Sequence, residues 1–169
     1  FVPVGEDQRQ HIELTRDIAE RFNTRYSLTF TIPDIMAPKV GAKIMSLQDP
    51  TSKMSKSDPD ENAFILILDE PDVIRRKIKR AVTDSKGTIA YTDEQPGVKN
   101  LLDIYSSFKH ISPEEAEREF KSAGYGELKE AVGEAVVEGL APVQERFHAI
   151  RGDKEQLEAI CRECAEKAS

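Results

Sequence analysis

The sequence predicts an α/β segment followed by a helical bundle, and three observations predict it. The run Val2-Pro3-Val4-Gly5 leads into a helical pattern, the strand–turn–helix order of α/β proteins. Short stretches bounded by Pro and Gly fill the next third of the chain. From Pro71 onward apolar residues recur at helical spacing almost without a break. At 169 residues the chain holds one ordinary domain or two small ones. The change of pattern places the division near residue 75, with an incomplete α/β part over 1–75 and a helical part over 76–169.

Element by element, Glu6-Asp7-Gln8 opens a helix whose face is Leu14, Ile18 and Phe22, with Ile12 and Ala19 beside them, and Asn23 closes it. Leu28-Thr29-Phe30-Thr31-Ile32 reads as extended up to Pro33, and Gly41 to Leu47 as a short strand or turn. Phe64-Ile65-Leu66-Ile67-Leu68 has the length of a strand, and one helical turn fits it as well. Pro71 suits a first helical turn. Val73, Ile74, Ile78, Ala81 and Val82 then make one face, opposite Arg75, Arg76, Lys77, Lys79 and Arg80. Residues 84–97 form a loop, and Leu101, Leu102, Ile104, Tyr105 and Phe108 a further helix. Ser112-Pro113-Glu114-Glu115 has the capping-box pattern. Leu128 to Ile150 traces a long amphipathic helix through Pro142, and Asp153 caps a last one carrying Leu157, Ile160, Cys161 and Cys164.

The net charge is −7, and residues 111–169 supply most of it, with 8 basic against 14 acidic side chains. Such a chain is not a generic nucleic-acid binder, although a local basic patch still suits phosphates. No apolar run is long enough to span a bilayer. The opening residues read as the end of a buried strand, so the sequence is expected to continue a longer polypeptide. Cys161 and Cys164 stand without a second Cys or His pair, which reads as ordinary helix residues in a reducing cytosol rather than a zinc site. His11, His110 and His148 are scattered and take no catalytic part in this reading.

Two constellations carry chemistry. Lys53-Met54-Ser55-Lys56-Ser57 sets two ammonium groups three residues apart between turn-forming flanks, Asp49-Pro50-Thr51 and Asp58-Pro59-Asp60. Lys is a point charge on a flexible stem, and the Ser hydroxyls add short donors, so the loop suits a phosphate that moves during reaction. A Lys/Ser linker would look similar and merely be solvated. Gly5-Glu6-Asp7-Gln8 sits where open parallel sheets place ligands, at a strand's carboxyl end and a helix start. There Gly admits close backbone approach, a carboxylate accepts from ribose hydroxyls and Gln offers a donor and an acceptor. The same residues are also what capping and the helix dipole favour.

Together the two sites resemble bacterial tryptophanyl-tRNA synthetases. The likeness covers Val2 to Gln8, His11, Glu13 to Ala19 and Arg21-Phe22-Asn23, then Pro38 to Leu47 and Lys53 to Asp58. It continues in Lys77-Ile78-Lys79, Ala81 to Ser85, Pro96-Gly97-Val98, Asn100-Leu101-Leu102, Ile104-Tyr105 and Gly124-Tyr125-Gly126. The Lys loop is general to class I aminoacyl-tRNA synthetases, while the Gly-Glu-Asp-Gln run and its helix point to tryptophan rather than tyrosine.

The resemblance implies a Rossmann-like catalytic domain, here without its N-terminal half, followed by an anticodon-binding-type helical domain. It implies activation of tryptophan by ATP and transfer to the 3′ end of tRNA(Trp), in a cytoplasmic homodimer. Carried over residue by residue, it puts Gly5, Glu6 and Asp7 at the nucleotide, with Asp7 near the ribose. Gln8 takes the amino acid's polar end, and Val2 and Val4 flank the indole. Ile44 and Met54 lie near adenine through backbone groups, and Lys53, Ser55, Lys56 and Ser57 at the ATP phosphates, with Mg²⁺ accompanying the ATP. The family's His-Ile-Gly-His-type signature and the acid that reads the indole N–H do not occur in this sequence, so the chain alone is expected not to be a competent synthetase. Another class I synthetase, such as the tyrosine enzyme, is the nearest rival. A helical interaction module with an incidental Lys loop is the rival from a different class. The basic face from Arg75 to Arg80 suits tRNA phosphates or simple solvation.

Overall fold

In the computed structural model, which describes residues 1–5, 8–36 and 43–168, two short strands and six helices follow one another. Strand β1 (Val2–Pro3) pairs in parallel with β2 (Ile35–Met36), Val2 opposite Ile35. Between them runs α1 (Arg9–Arg25), so β1, α1 and β2 form a βαβ crossover. Its helix was expected to stop at Asn23 and continues to Arg25. The Asn23 side chain instead faces the following loop: its Oδ1 accepts from Thr29 N and Phe30 N, both at 2.9 Å, and its Nδ2 donates to Phe30 O at 2.8 Å. Those contacts engage the backbone of Leu28–Ile32 locally, and the strand forms only beyond Pro33. The apolar face of α1 is present as a face but stays open. Leu14 and Ile18 are each 59% exposed, and Ala19 is the buried residue of the helix.

The remaining helices are α2 (Pro71–Arg80), α3 (Pro96–Lys109), α4 (Pro113–Glu119), α5 (Tyr125–Gly152) and α6 (Lys154–Ala168). Pro71 occupies the first turn of α2, Asp72 lies near its N-terminus, and Lys77, Lys79 and Arg80 complement its C-terminal dipole. The α3 helix ends on His110 in the left-handed conformation, φ 57°. At α4 the capping box is complete: Ser112 Oγ accepts from Glu115 N at 3.2 Å, and Glu115 Oε2 accepts from Ser112 N at 2.8 Å. Pro142 lies inside the long α5, and Asp153 Oδ1 accepts from Gln156 N at 2.9 Å to open α6.

One core joins α2 to α5, and α6 has no buried residue in it. Helix α5 packs on both α2 and α3, and α4 on α3. Ile74 and Ile78, Val98, Leu101 and Leu102, Ala116, and Leu128, Val132 and Val136 fill the interior, and Leu47 from the Lys-loop segment joins them. A half-buried polar cluster around the buried Gln95 shapes the 84–95 loop: Gln95 Nε2 donates to Asp84 Oδ2 at 2.9 Å, and Tyr125 Oη to Asp84 Oδ1 at 2.6 Å. Three expectations need correction here. Phe64–Leu68 is neither strand nor helix; Ala63 and Phe64 are buried, while Leu66, Ile67 and Leu68 face outward, and Asp69 Oδ2 and Gln144 Nε2 take up backbone groups of the segment. Lys77 is not on the solvent face of α2 but on its inner face, because Asp69 waits there for its ammonium. Val82 lies past the helix end, where Ala81 turns extended, and is exposed.

Candidate nucleotide-binding site

The Lys-loop segment is a tight antiparallel turn built by short polar residues. Met54 N donates to Ile44 O at 3.0 Å and Ser46 N to Ser52 O at 2.8 Å, and Met45 pairs with Lys53 as a bridge. Asp49 organises the tip. Its carboxylate accepts from Ser52 Oγ at 2.7 Å, Thr51 Oγ1 at 2.6 Å and Thr51 N at 3.1 Å. Those donors, Ser52 foremost, hold the Asp49 carboxyl below its ordinary range. Ser46, itself buried, receives Gln48 N and Asp49 N on its hydroxyl.

The helical body holds the turn from beneath. Asn100, buried on α3, grips Met45 by both polar edges of its backbone. Met45 N donates to Asn100 Oδ1 and Asn100 Nδ2 donates to Met45 O, each at 2.8 Å. Val82 N donates to Leu47 O at 2.7 Å and Leu47 N to Ala63 O at 2.9 Å. Ile44 and Met54 are half-buried against the core. Lys53, Ser55, Lys56 and Ser57 emerge exposed from this base, with Ser55 Oγ and Ser57 Oγ 3.1 Å apart and Asp58 N donating to Ser55 O. An exposed run of ammonium, hydroxyl and backbone N–H groups on a braced turn is chemically suited to a polyphosphate.

The second group lies on the βαβ unit. Val2 N donates to Asp34 O at 2.7 Å and Val4 N to Met36 O at 3.2 Å, which sets the strand end. Gly5 O accepts from Gln8 N at 3.0 Å, and Gln8 stands exposed at the N-cap of α1. Glu6 and Asp7, the expected ribose-side carboxylates, lie outside the described residues, as do Pro38 to Ala42. Local contacts thus bring Val2, Val4, Gly5 and Gln8 together on one unit, and Ile44 with Lys53–Ser57 on another.

Sequence reasoning gave no role to Asn100, Asp69 or Gln144. The available signal was a polar residue beside the apolar stripe Leu101, Leu102, Ile104 and Tyr105, since a buried amide needs partners. Along the α2–α5 groove, a cavity of about 550 Å³ is lined by Arg75, Lys79, Lys129 and Glu134 among others. Arg75 is engaged there, with Nε 2.6 Å from Glu134 Oε1 and Nη2 3.0 Å from Glu134 Oε2. Burial pushes the Lys129 ammonium below its ordinary range. Cys161 and Cys164 are free, exposed thiols. Among the described residues no three His, Cys, Asp or Glu side chains gather as a metal cage, and no helix is long and apolar enough to cross a membrane.

The pattern of the tRNA synthetases class I (W and Y) matches residues 1–141. Over all 169 residues the chain is 60% identical to the tryptophan–tRNA ligase of Clostridium perfringens, covering 51% of that protein. The crystal structure of tryptophanyl-tRNA synthetase from Mycoplasma pneumoniae superposes with a TM-score of 0.80 at 36% identity, over 92% of this chain and 47% of that one. The enzyme from Campylobacter jejuni, complexed with ADP and tryptophan, superposes with a TM-score of 0.63 at 27% identity, over 99% and 51%. The chain spans about half the length of the curated relatives it matches.

Proposed function

The chain belongs to the class I tRNA synthetases of the tryptophan and tyrosine type, and on that premise we propose that it is the nucleotide-gripping and tRNA-facing half of a tryptophan–tRNA ligase. The observation that carries the choice of tryptophan is 60% identity to such a ligase over every residue of this chain, both candidate sites included.

In this reading ATP sits with its ribose at Gly5, Glu6 and Asp7, and Ile44 and Met54 offer backbone groups to adenine. Val2 and Val4 flank the indole, and Gln8 binds the polar end of tryptophan. The tryptophan carboxylate attacks the α-phosphorus, the bond to the β-phosphate oxygen breaks, and pyrophosphate leaves. Lys53 and Lys56, with Ser55 and Ser57, stabilise the charge that grows on that leaving group, a contribution larger in the transition state than in the ground state. Mg²⁺ enters with ATP as part of the substrate, which agrees with a metal held chiefly by phosphate oxygens and water. The aminoacyl group then passes to the 3′ end of tRNA(Trp).

The finer architecture belongs to the same proposal. Residues 1–75 are the later part of a Rossmann-like catalytic domain, supported by the parallel βαβ order of β1, α1 and β2. Residues 76–169 are the anticodon-binding-type helical domain. The full-length protein is a cytoplasmic homodimer, as the resemblance implies.

Amino-acid-dependent ATP–pyrophosphate exchange by the full-length polypeptide is the test. Exchange should require tryptophan, and exchange driven by tyrosine instead would assign the other branch of the family. Lys53→Ala and Lys56→Ala should each slow it by roughly two or more powers of ten. An unchanged rate would make the loop incidental.

A further inference from the structure

The Lys loop does not hold itself in place; its base is bolted to the helical body. Asn100 is 3% exposed on α3 and satisfies both polar groups of the Met45 backbone, across 55 positions of sequence. This side-chain amide does what a neighbouring strand would do: it supplies one acceptor and one donor to an extended residue. Met45 in turn bridges to Lys53, and Met54 N bonds Ile44 O one residue away. The chain of contacts therefore runs from α3 through Asn100 and Met45 to Lys53.

A second feature tightens the same joint. A Cβ at Gly97, one turn before Asn100, would overlap the Val82 carbonyl and stand 3.4 Å from Pro50 Cγ. Val82 N meanwhile holds Leu47 O. The first turn of α3, the end of α2 and the Lys-loop base are thus in direct contact. Helix α3 packs on α4 and α5, so the loop base rests on the helical body.

We propose that Asn100 is a positioning residue that sets where the Lys53 ammonium stands against the ATP phosphates. The inference rests on the synthetase reading above. Asn100 touches neither nucleotide nor tryptophan in it and acts through Met45 and Lys53.

The test is a double-mutant cycle in tryptophan-dependent ATP–pyrophosphate exchange by the full-length polypeptide. Asn100→Ala should lower kcat roughly ten- to a hundredfold, the size expected for a misplaced catalytic group, and leave the KM for tryptophan unchanged. In a Lys53→Ala background the same substitution should cost less than about threefold, because the group it positions is gone. Asn100→Asp, which keeps the acceptor for Met45 N–H but sets a carboxylate oxygen against Met45 O, should show the same kcat effect and the same non-additivity. It replaces the Ala variant if circular dichroism shows that one unfolded. Equal losses in both backgrounds, or a loss of melting temperature with kcat intact, would overturn the positioning role. So would loss of folding in both variants, since Asn100 would then serve the fold alone. If Lys53→Ala itself leaves the exchange untouched, the synthetase reading of the loop falls first and this inference with it.

Discussion

Lys77 Nζ stands 2.7 Å from Asp69 Oδ2, with the two side chains only 7% and 13% exposed. The ammonium also lies 5.1 Å from the centre of the Phe64 ring. Asp69 Oδ2 accepts from Leu66 N as well, so a single carboxylate ties the irregular 64–70 segment to α2. Lys77→Met would leave Asp69 buried without its counter-charge, at a cost of about 3 kcal/mol. Pairing it with Asp69→Asn should recover much of that loss. Denaturant midpoints of the two variants check this, and equal midpoints for Lys77→Met and the unaltered protein would show the pair to be dispensable.

Gly139 gives the packing of α5 on α3 a sharp test. An added Cβ there would overlap the Phe108 ring. The propensity gain from Gly to Ala in a helix is about 1 kcal/mol, and the overlap outweighs it where the ring cannot move. Gly139→Ala should therefore lower thermal stability, whereas with Phe108→Leu also present the same change should be neutral or stabilising.

The acid limb of stability should depend on Asp84. Burial raises its affinity for a proton, yet hydrogen bonds from Tyr125 Oη, Lys86 N and Gln95 Nε2 outweigh this and hold its carboxyl below the ordinary range. A depressed folded value means that the contribution is present above the unfolded value near about pH 4 and is lost as pH falls through the folded one. Asp84→Asn should lower stability at neutral pH and flatten its decline in acid. Asp103 has the opposite sign: burial outweighs the bond from Tyr91 Oη and raises its carboxyl, so its charge costs stability as pH rises. Denaturation midpoints followed from about pH 3 to about pH 7 distinguish the two, and parallel profiles would contradict both assignments.

On the proposed synthetase reading, the basic residues of α2 should not contribute equally to tRNA binding. All three of Arg75, Arg76 and Arg80 are exposed, but Arg75 is engaged by Glu134 and Asp72. In the full-length polypeptide, Arg76→Ala and Arg80→Ala should each reduce the slope of log affinity against log salt by about one. Arg75→Ala should leave the slope unchanged. If all three variants keep the slope of the unaltered protein, the face is a solvated one.

Alkaline titration reports the α3–α4 contact. Burial first, and then the bond from Tyr105 Oη to Glu119 Oε1 at 2.9 Å, push the Tyr105 phenol up to about 12. A raised folded value contributes stability that is complete below the unfolded value near about 10 and is lost as pH rises through the folded one. Tyr105→Phe should remove that share of the alkaline decline, and ultraviolet absorbance of the phenolate should show one late-titrating group fewer.

Local chemistry was legible from the sequence alone. Ser112 and Glu115 cap α4 within four residues, Asp49 folds its own turn, Asp153 opens α6, and Pro71 starts α2, because each partner lies within a few bonds of the residue that needs it. The helical half was legible for the same reason, since a 3.6-residue period needs no knowledge of what covers it. The α1 stripe is a real face of the helix, yet Leu14 and Ile18 remain exposed. Lys77 carries the same charge as Arg76 beside it and is buried; Phe64–Leu68 has a strand's composition and no ladder to join. Asn100 looked like one polar residue in an apolar run until Met45 came to rest against it. Periodicity determines which side chains share a face. Which face meets water, and which polar group finds a partner, is decided by segments far away in the chain, because desolvation is offset only by the neighbour that three-dimensional packing delivers.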